Sequence, residues 1–288
     1  MSSSALEEEL TTEYEDWTNL FLPRTAQILK STPLTATDTL HRLRFQNGDI
    51  GDYKPGQFVM VSMLGIGEVP ISICSSPTHI GGFELCVRSA GTVTQAINEL
   101  NAGALVPIRG PYGRGFSTEK MVGHDVMIIA GGIGLAPMRS LIQYLLDQRS
   151  QYGEIWILFG AKRPGEVLFQ DEVLSWSSRP DIHFLMTVDI ANRAWRGNVG
   201  PVTSLFHYVK VDPHNTCAAV CGPPVMYRPV LRELQHLELP DAQMFFSFER
   251  RMKCGLGKCG HCLINGHYCC KEGPVLSYAE IRELPEAM

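Results

Sequence analysis

The 288-residue sequence has no apolar run approaching the roughly 20 residues that cross a bilayer. It has no internal repeat, no low-complexity linker and no excess of basic charge. Lys and Arg number 25 against 30 Asp and Glu, so the basic face by which proteins hold nucleic acid is missing. The acidic surplus is local. Residues 1–20 carry six acids (Glu7, Glu8, Glu9, Glu13, Glu15, Asp16) and no base, which leaves a body of 25 bases and 24 acids. The opening MSSSALEEEL lacks the basic start and apolar stretch of a secretory signal, and a cytoplasmic setting is expected. Nine cysteines are too few for a disulfide scaffold. No catalytic triad or paired-carboxylate site stands out.

What is present is a globular composition, 44% hydrophobic and 19% charged, able to bury a substantial core. From Leu22 to Phe116, short β-rich runs are broken by Gly, Pro and Asn-Gly signals: LHRLRF (40–45), FVMVSM (58–63), FELCVR (83–88) and LVPIRG (105–110). Strands so spaced predict a small antiparallel barrel. From Asp125 the apolar runs VMIIA, IWILFG, IHFLMTV and CAAVCG alternate with helical stretches such as PMRSLIQYLLDQ (137–148). That alternation predicts a parallel sheet wound with helices. The run MFFSF (244–248) then leads into a cysteine-rich tail. The expected fold class is β plus α/β: an acidic extension (1–21), a barrel (22–120), a nucleotide-binding α/β domain (121–242) and a small metal-binding domain (243–288).

Five of the nine cysteines fall between 254 and 270. Cys254, Cys259 and Cys262 are separated by four and two residues, and Cys270 follows after seven more. Thiolates at C-x4-C-x2-C with a later fourth cysteine form the plant-ferredoxin pattern for a [2Fe–2S] cluster. Gly255, Gly257 and Gly260 suit a tight loop that aims backbone N–H groups at sulfur. Zinc, with His261 as a ligand, and an unmetallated set of reactive thiols are the alternatives. The 4-then-2 spacing fits zinc poorly, since zinc ligands usually come as two separated pairs. Cys269 and Cys270 are adjacent, so spacing leaves the fourth ligand open. Cys74, Cys86 and Cys217, isolated on apolar runs, read as small buried residues.

Two further turns mark a ligand crevice. Gly131, Gly132 and Gly134, ahead of Pro137, lie between a strand and a helix, where backbone amides can receive a pyrophosphate. Cys221-Gly222-Pro223-Pro224 supplies a second turn at the end of a later strand. In the barrel region, Pro70-Ile71-Ser72 is a strand and Gly91-Thr92-Val93-Thr94 opens a helix, another potential phosphate site.

The order PGQF, PISICS, GTVT, AGGIGLAP, CGPP and then the cysteines resembles the ferredoxin–NADP reductase superfamily over about residues 22–288. Within it, the chain is similar to the branch with a C-terminal [2Fe–2S] cluster. The segments FERRMKCGLGKCGHC and YCCKEGPV are most like the flavoprotein gamma subunits of cytoplasmic NAD(P)-linked nickel–iron hydrogenases. Much of that tail is shared with dihydroorotate dehydrogenase electron-transfer subunits and with anaerobic sulfite reductase B. The resemblance implies FAD in the barrel and NADP(H) or NAD(H) in the α/β domain. It implies partners among the large, small and iron–sulfur subunits of a multi-subunit redox complex. Pro70, Ile71 and Ser72 would line the flavin ring, and Gly91, Thr92, Val93 and Thr94 would hold its pyrophosphate. Gly131, Gly132, Gly134, Pro137, Gly222 and Pro223 would shape the nicotinamide side, with Cys221 near the hydride-carrying carbon as the catalytic candidate. The fourth cluster ligand would be Cys270, because one cysteine precedes the family's acidic-Gly-Pro-Val run. Val69 departs from the usual arginine, which leaves FAD or FMN open and makes Arg88 a possible substitute. Glu249 reads as a loop or helix cap. Lys162 and Arg163, after IWILFG, would accommodate a 2′-phosphate, Arg163 as a planar fork, and so favour NADP(H).

Serine variants check the cluster reading. Cys259→Ser should remove the paramagnetic signal of a reduced [2Fe–2S] cluster while nicotinamide still reduces the flavin. Unchanged iron content would refute the assignment. Of the adjacent pair, Cys270→Ser should lose iron and Cys269→Ser retain it.

Overall fold

A computed structural model describes residues 21–284, so the acidic residues 1–20 lie outside the described part. Six antiparallel strands come first: β1 (Arg24–Pro33), β2 (Asp38–Phe45), β3 (Phe58–Met63), β4 (Gly67–Ser72), β5 (Phe83–Arg88) and β6 (Leu105–Tyr112). Their order across the sheet is β4-β3-β6-β1-β2-β5. The two edges then approach each other beyond β4, where Ile73 bridges Leu85 and the Cys74 amide donates to the Glu84 carbonyl at 2.9 Å. This closes a barrel around Ile28, Val59, Val61, Phe83, Leu85 and Ile108, none more than 2% exposed. A short helix α1 (Thr92–Asn98) packs beside β5.

Strand β1 was not anticipated from sequence. Only Ala26 and Ile28 of its ten residues are buried, so it lacks an alternating apolar signal.

The second sheet contains β7 (Asp125–Gly131), β8 (Ile155–Ala161), β9 (His183–Val188), β10 (Asn198–Val199), β11 (Thr216–Cys221) and β12 (Met244–Ser247), all parallel. Strands β13 (Leu263–Ile264) and β14 (His267–Tyr268) make a separate ribbon, and β15 (Val275–Ser277) adds antiparallel to β12. The order is β10-β9-β8-β7-β11-β12-β15. Central strands are covered on both faces, which is why β7 reads VMIIA without alternation. Val126, Ile128 and Ala130 enter one core cluster and Met127 and Ile129 the other. Helix α2 (Leu135–Asp147) lays Met138, Leu141, Ile142 and Leu145 on the first of these. Helices α3 (Gln170–Ser178) and α4 (Pro224–His236) complete the layers. The run MFFSF, expected to open the cysteine-rich region at 243, contributes strand β12 to the nucleotide sheet.

Candidate functional site

Two cavities lie where the carboxyl ends of the parallel strands meet the barrel, the position at which open α/β sheets take ligands. The first, about 370 Å³, is bounded by Pro70, Ile71 and Ser72 of the barrel and by Pro137, Cys221 and Ser247 of the sheet. The second, about 680 Å³, follows Gly131, Gly132, Gly222 and Pro223 toward Lys162 and Asp189. Both sizes suit a bound small molecule. Arg88, Ile133 and Glu249 belong to the walls of both.

Arg88, at the end of β5, is forked on Asp38, with Nε 2.7 Å from Oδ1 and Nη2 3.1 Å from Oδ2. Asp38 is buried and also accepts from the hydroxyls of Thr35 and Thr37. A charge-assisted fork of this kind fixes guanidinium direction as well as position. Glu249 stands opposite; its confined surroundings hold the carboxyl above the usual range, and Arg88 partly offsets this. Cys221 is buried, and burial pushes its thiol up to about 12, so it stays protonated at neutral pH. Register on the adjacent strands sets Cys221 beside Ser247.

The two glycines of the first turn differ in role. Gly132 has φ +53° and nothing within 4 Å of where a Cβ would point, and it lines the second cavity. A Cβ on Gly134 would collide with the Cys221 carbonyl and come within 2.8 Å of the Gly222 nitrogen. Gly134 is therefore required by the packing of one turn on the other, whereas the sequence suggested close ligand approach.

Residues Gly91–Thr94 stand at the start of α1, just beyond Ala90, where the first cavity wall ends. The Thr94 hydroxyl accepts from the amides of Ala90 and Gly91, both at 3.0 Å. Arg163 is outside both walls, more than half exposed, with Nη1 3.9 Å from Glu166. Its neighbours Lys162 and Glu166 line the second cavity instead.

The cysteine loop leaves β12 and returns through β15, and both of its ends touch the first cavity. Phe248, Glu249, Arg250 and Met252 wall it from one end and Pro274 from the other. Arg109 on β6 supports the loop by donating to the Cys254 carbonyl at 3.1 Å while its fork grips Glu68. Amides of Leu256 and Lys258 approach the Cys254 sulfur at 3.4 Å, and that of Gly257 approaches the Cys270 sulfur at 3.1 Å. Gly257 adopts φ +67°, a left-handed geometry that side chains disfavour and that aims this amide inward. Cys259 interacts with Cys254, and Cys262 with Cys270. The backbone N–H of His261 holds the Cys259 thiol below its ordinary value. Cys269 turns away, its sulfur 3.8 Å from the Phe248 carbonyl, and burial raises its thiol to about 12. Among the described residues, no three His, Cys, Asp or Glu side chains close on a single ion position. The loop nevertheless offers sulfurs with inward amides, the donor chemistry that a thiolate-held cluster needs. The largely apolar first cavity fits a flavin ring, and the glycine-edged second fits a dinucleotide.

Arg88, which the sequence offers as a substitute for the residue missing at 69, and Glu249, which reads as a cap, both wall the two cavities. Neither residue type signals a cavity wall; the strand ends bring them there.

The barrel, the parallel sheet and the cysteine loop each match a family model, and together these mark a flavin and nicotinamide oxidoreductase carrying an iron–sulfur region. Residues 28–116 match the oxidoreductase FAD-binding domain, 128–231 the oxidoreductase NAD-binding domain, and 249–282 the iron–sulfur cluster binding domain of dihydroorotate dehydrogenase B. The chain is 39% identical over 268 residues to sulfhydrogenase 1 subunit gamma of Pyrococcus furiosus, covering 90% of this chain and 92% of that one. It is 32% identical over 241 residues to a probable dihydroorotate dehydrogenase B (NAD(+)) electron transfer subunit of Thermoplasma acidophilum, covering 82% and 83%. An NADH-dependent reduced ferredoxin–NADP oxidoreductase structure shares the fold, with TM-score 0.72, 21% identity and 91% of each chain covered. So does the flavohaem-like FAD/NAD binding domain of a Vibrio cholerae nitric oxide dioxygenase, with TM-score 0.70, 18% identity, and 78% and 98% covered. The chain belongs to the family of the sulfhydrogenase gamma and dihydroorotate dehydrogenase B electron-transfer subunits, and it shares the ferredoxin–NADP reductase fold. It is an oxidoreductase flavoprotein subunit that transfers electrons through nicotinamide, FAD and iron–sulfur.

The contrast between the glycines is testable. Gly132→Ala should keep the fold at a cost of about 1 kcal/mol for its left-handed backbone, leave bound flavin at wild-type content and weaken dinucleotide binding. Gly134→Ala should destabilise further by prising the two turns apart. Dinucleotide titration and urea unfolding measure the two effects; equal stability loss in both variants would contradict the distinction.

Proposed function

We propose that this chain is the diaphorase-type subunit of a cytoplasmic nickel–iron hydrogenase complex, linking NADP(H), FAD and a [2Fe–2S] cluster held by Cys254, Cys259, Cys262 and Cys270. The observation that supports it is contiguity. The two cavities share Arg88, Ile133 and Glu249, and both ends of the cysteine loop wall the first. A flavin takes two electrons as a hydride and releases them singly, which suits a one-electron cluster as its exchange partner.

The protein's part is to bind, orient and exclude water. Pro70, Ile71 and Ser72 would bear the flavin ring, with the amides beginning α1 toward its pyrophosphate. Pro137 and the neutral Cys221 thiol would face the nicotinamide, with Gly131, Gly132, Gly222 and Pro223 along the rest of the dinucleotide. Phe248 and Met252, both buried, would keep water from the side facing the loop. Cys270 serves as the fourth ligand in this reading because its sulfur meets the Gly257 amide while that of Cys269 meets the Phe248 carbonyl.

Purification of the intact complex on a tagged copy of this chain tests the assignment. Nickel in the complex and hydrogen-dependent reduction of NADP are expected. A nickel-free complex that oxidises dihydroorotate would make this a dihydroorotate dehydrogenase subunit, the reading favoured by the match over 249–282. Sulfite reduction would make it a sulfite reductase subunit, and a colourless, zinc-containing protein an interaction module.

For the nicotinamide, Lys162 lines the second cavity and Arg163 lies beside Glu166 of the same wall. Arg163→Ala and Lys162→Ala should each raise KM for NADPH several-fold more than KM for NADH. Equal effects on the two, or a wild-type preference for NADH, would overturn the NADP(H) assignment.

A further inference from the structure

The buried junction between barrel and nucleotide domain contains one guanidinium that the reading above leaves without a role. Arg139, one turn into α2, is 5% exposed. Its Nη1 is 2.7 Å from Glu84 and 3.0 Å from the Cys74 carbonyl, both on the barrel. Its Nε is 2.8 Å and 2.9 Å from the two carboxylate oxygens of Glu172, on α3 of its own domain. The guanidinium carbon stands 4.9 Å from the centre of the Phe169 ring. Three directions of one planar group are thus occupied at once, a geometry that an ammonium cannot reproduce.

The same face of α2 is joined to the barrel at further points, Asp147 meeting Thr78 and His79 among them. The Ser140 hydroxyl donates to the Ser75 carbonyl at 2.5 Å, and Gln143 accepts the Ser76 amide at 3.0 Å. Residues Cys74–Ser76 continue directly from Pro70–Ser72, the barrel wall of the first cavity. Helix α2 continues directly from Gly131–Gly134, the turn of the second. The Arg139 contacts therefore join the segment after the flavin wall to the helix after the nicotinamide turn. Glu84 and Cys74 form the link across the domains, whereas Glu172 forms a link inside one domain.

We propose that Arg139 is a positioning residue for hydride transfer: through Glu84 and the Cys74 carbonyl it sets the register of the nicotinamide turn against the flavin wall. The proposal rests on the reading that the first cavity takes flavin and the second the dinucleotide. Displacements on the order of 1 Å between reacting groups cost up to about a hundredfold in rate. A fork held on two domains is suited to prevent them.

The test uses the flavin-loaded protein and three variants: Arg139→Lys, Glu84→Ala and Glu172→Gln. Stopped-flow reduction at saturating dinucleotide gives the rate constant, titration gives dinucleotide Kd, and long-wavelength charge-transfer absorbance reports nicotinamide stacking on flavin. Arg139→Lys and Glu84→Ala should slow flavin reduction by about tenfold or more and weaken the charge-transfer band. Kd should stay within about threefold. Glu172→Gln should lose stability yet keep the wild-type rate and band. If Arg139→Lys does not fold, Glu84→Ala against Glu172→Gln decides. A wild-type band and rate in Glu84→Ala, or equal losses in Glu84→Ala and Glu172→Gln, would overturn the proposal. Failure of the underlying site reading shows separately, as a wild-type protein that binds no flavin or whose flavin no nicotinamide reduces.

Discussion

The pairing of β15 with β12 is the constraint on which the rest of the site depends. Phe245 lies opposite Ser277, Phe246 opposite Leu276 and Ser247 opposite Val275, so the segment between them must leave and re-enter one edge of the nucleotide sheet. Because β12 is parallel to β11, its end arrives level with Cys221, and the departing chain passes over the first cavity. The returning chain is held from the barrel side: the Arg114 side chain donates to the Val275 carbonyl at 3.1 Å and forks on Glu280. A loop tied to both domains needs little regular structure of its own, and β13 and β14 are only two residues each.

Buried charge is concentrated where the parts meet. Asp38–Arg88 lies at the edge of the cavities, Glu68–Arg109 under the cysteine loop and Glu84–Arg139–Glu172 between the domains. Each joins segments distant in sequence, and in each the guanidinium has a bidentate grip or a second partner. Such pairs offset their own desolvation only when the geometry is good, so their value lies in specifying one arrangement more than in adding stability. Apolar packing does the complementary work within each part, in the barrel interior and on the two faces of the second sheet.

Legibility followed the range of the interactions. Strands β7, β8 and β11, helix α2 and the glycine turns could be read because each is declared by neighbouring residues: an unbroken apolar run, a helical period, a Gly-rich strand end. The cysteine spacing was legible for the same reason, since thiolates around one small centre must be close in the chain. β1 was not, because its partners β2 and β6 supply its hydrogen bonds while most of its own side chains are exposed or half-exposed. The run that forms β12 reads only as an apolar lead into the cysteine region, because pairing with β11 leaves no mark in four residues.

The sequence by itself determined the family, the order barrel, nucleotide sheet, cysteine loop, and the residue types that could hold flavin, dinucleotide and cluster. Tertiary structure alone decided which of them share a wall. It brought Arg88 and Glu249 to the boundary of both cavities, put Lys162 rather than Arg163 on the lining, turned Cys269 toward the Phe248 carbonyl and made Gly134 a contact between two turns. The physical reason is that local chemistry depends on neighbours along the chain, whereas a cavity wall is assembled from strand ends whose meeting is set by register between distant segments.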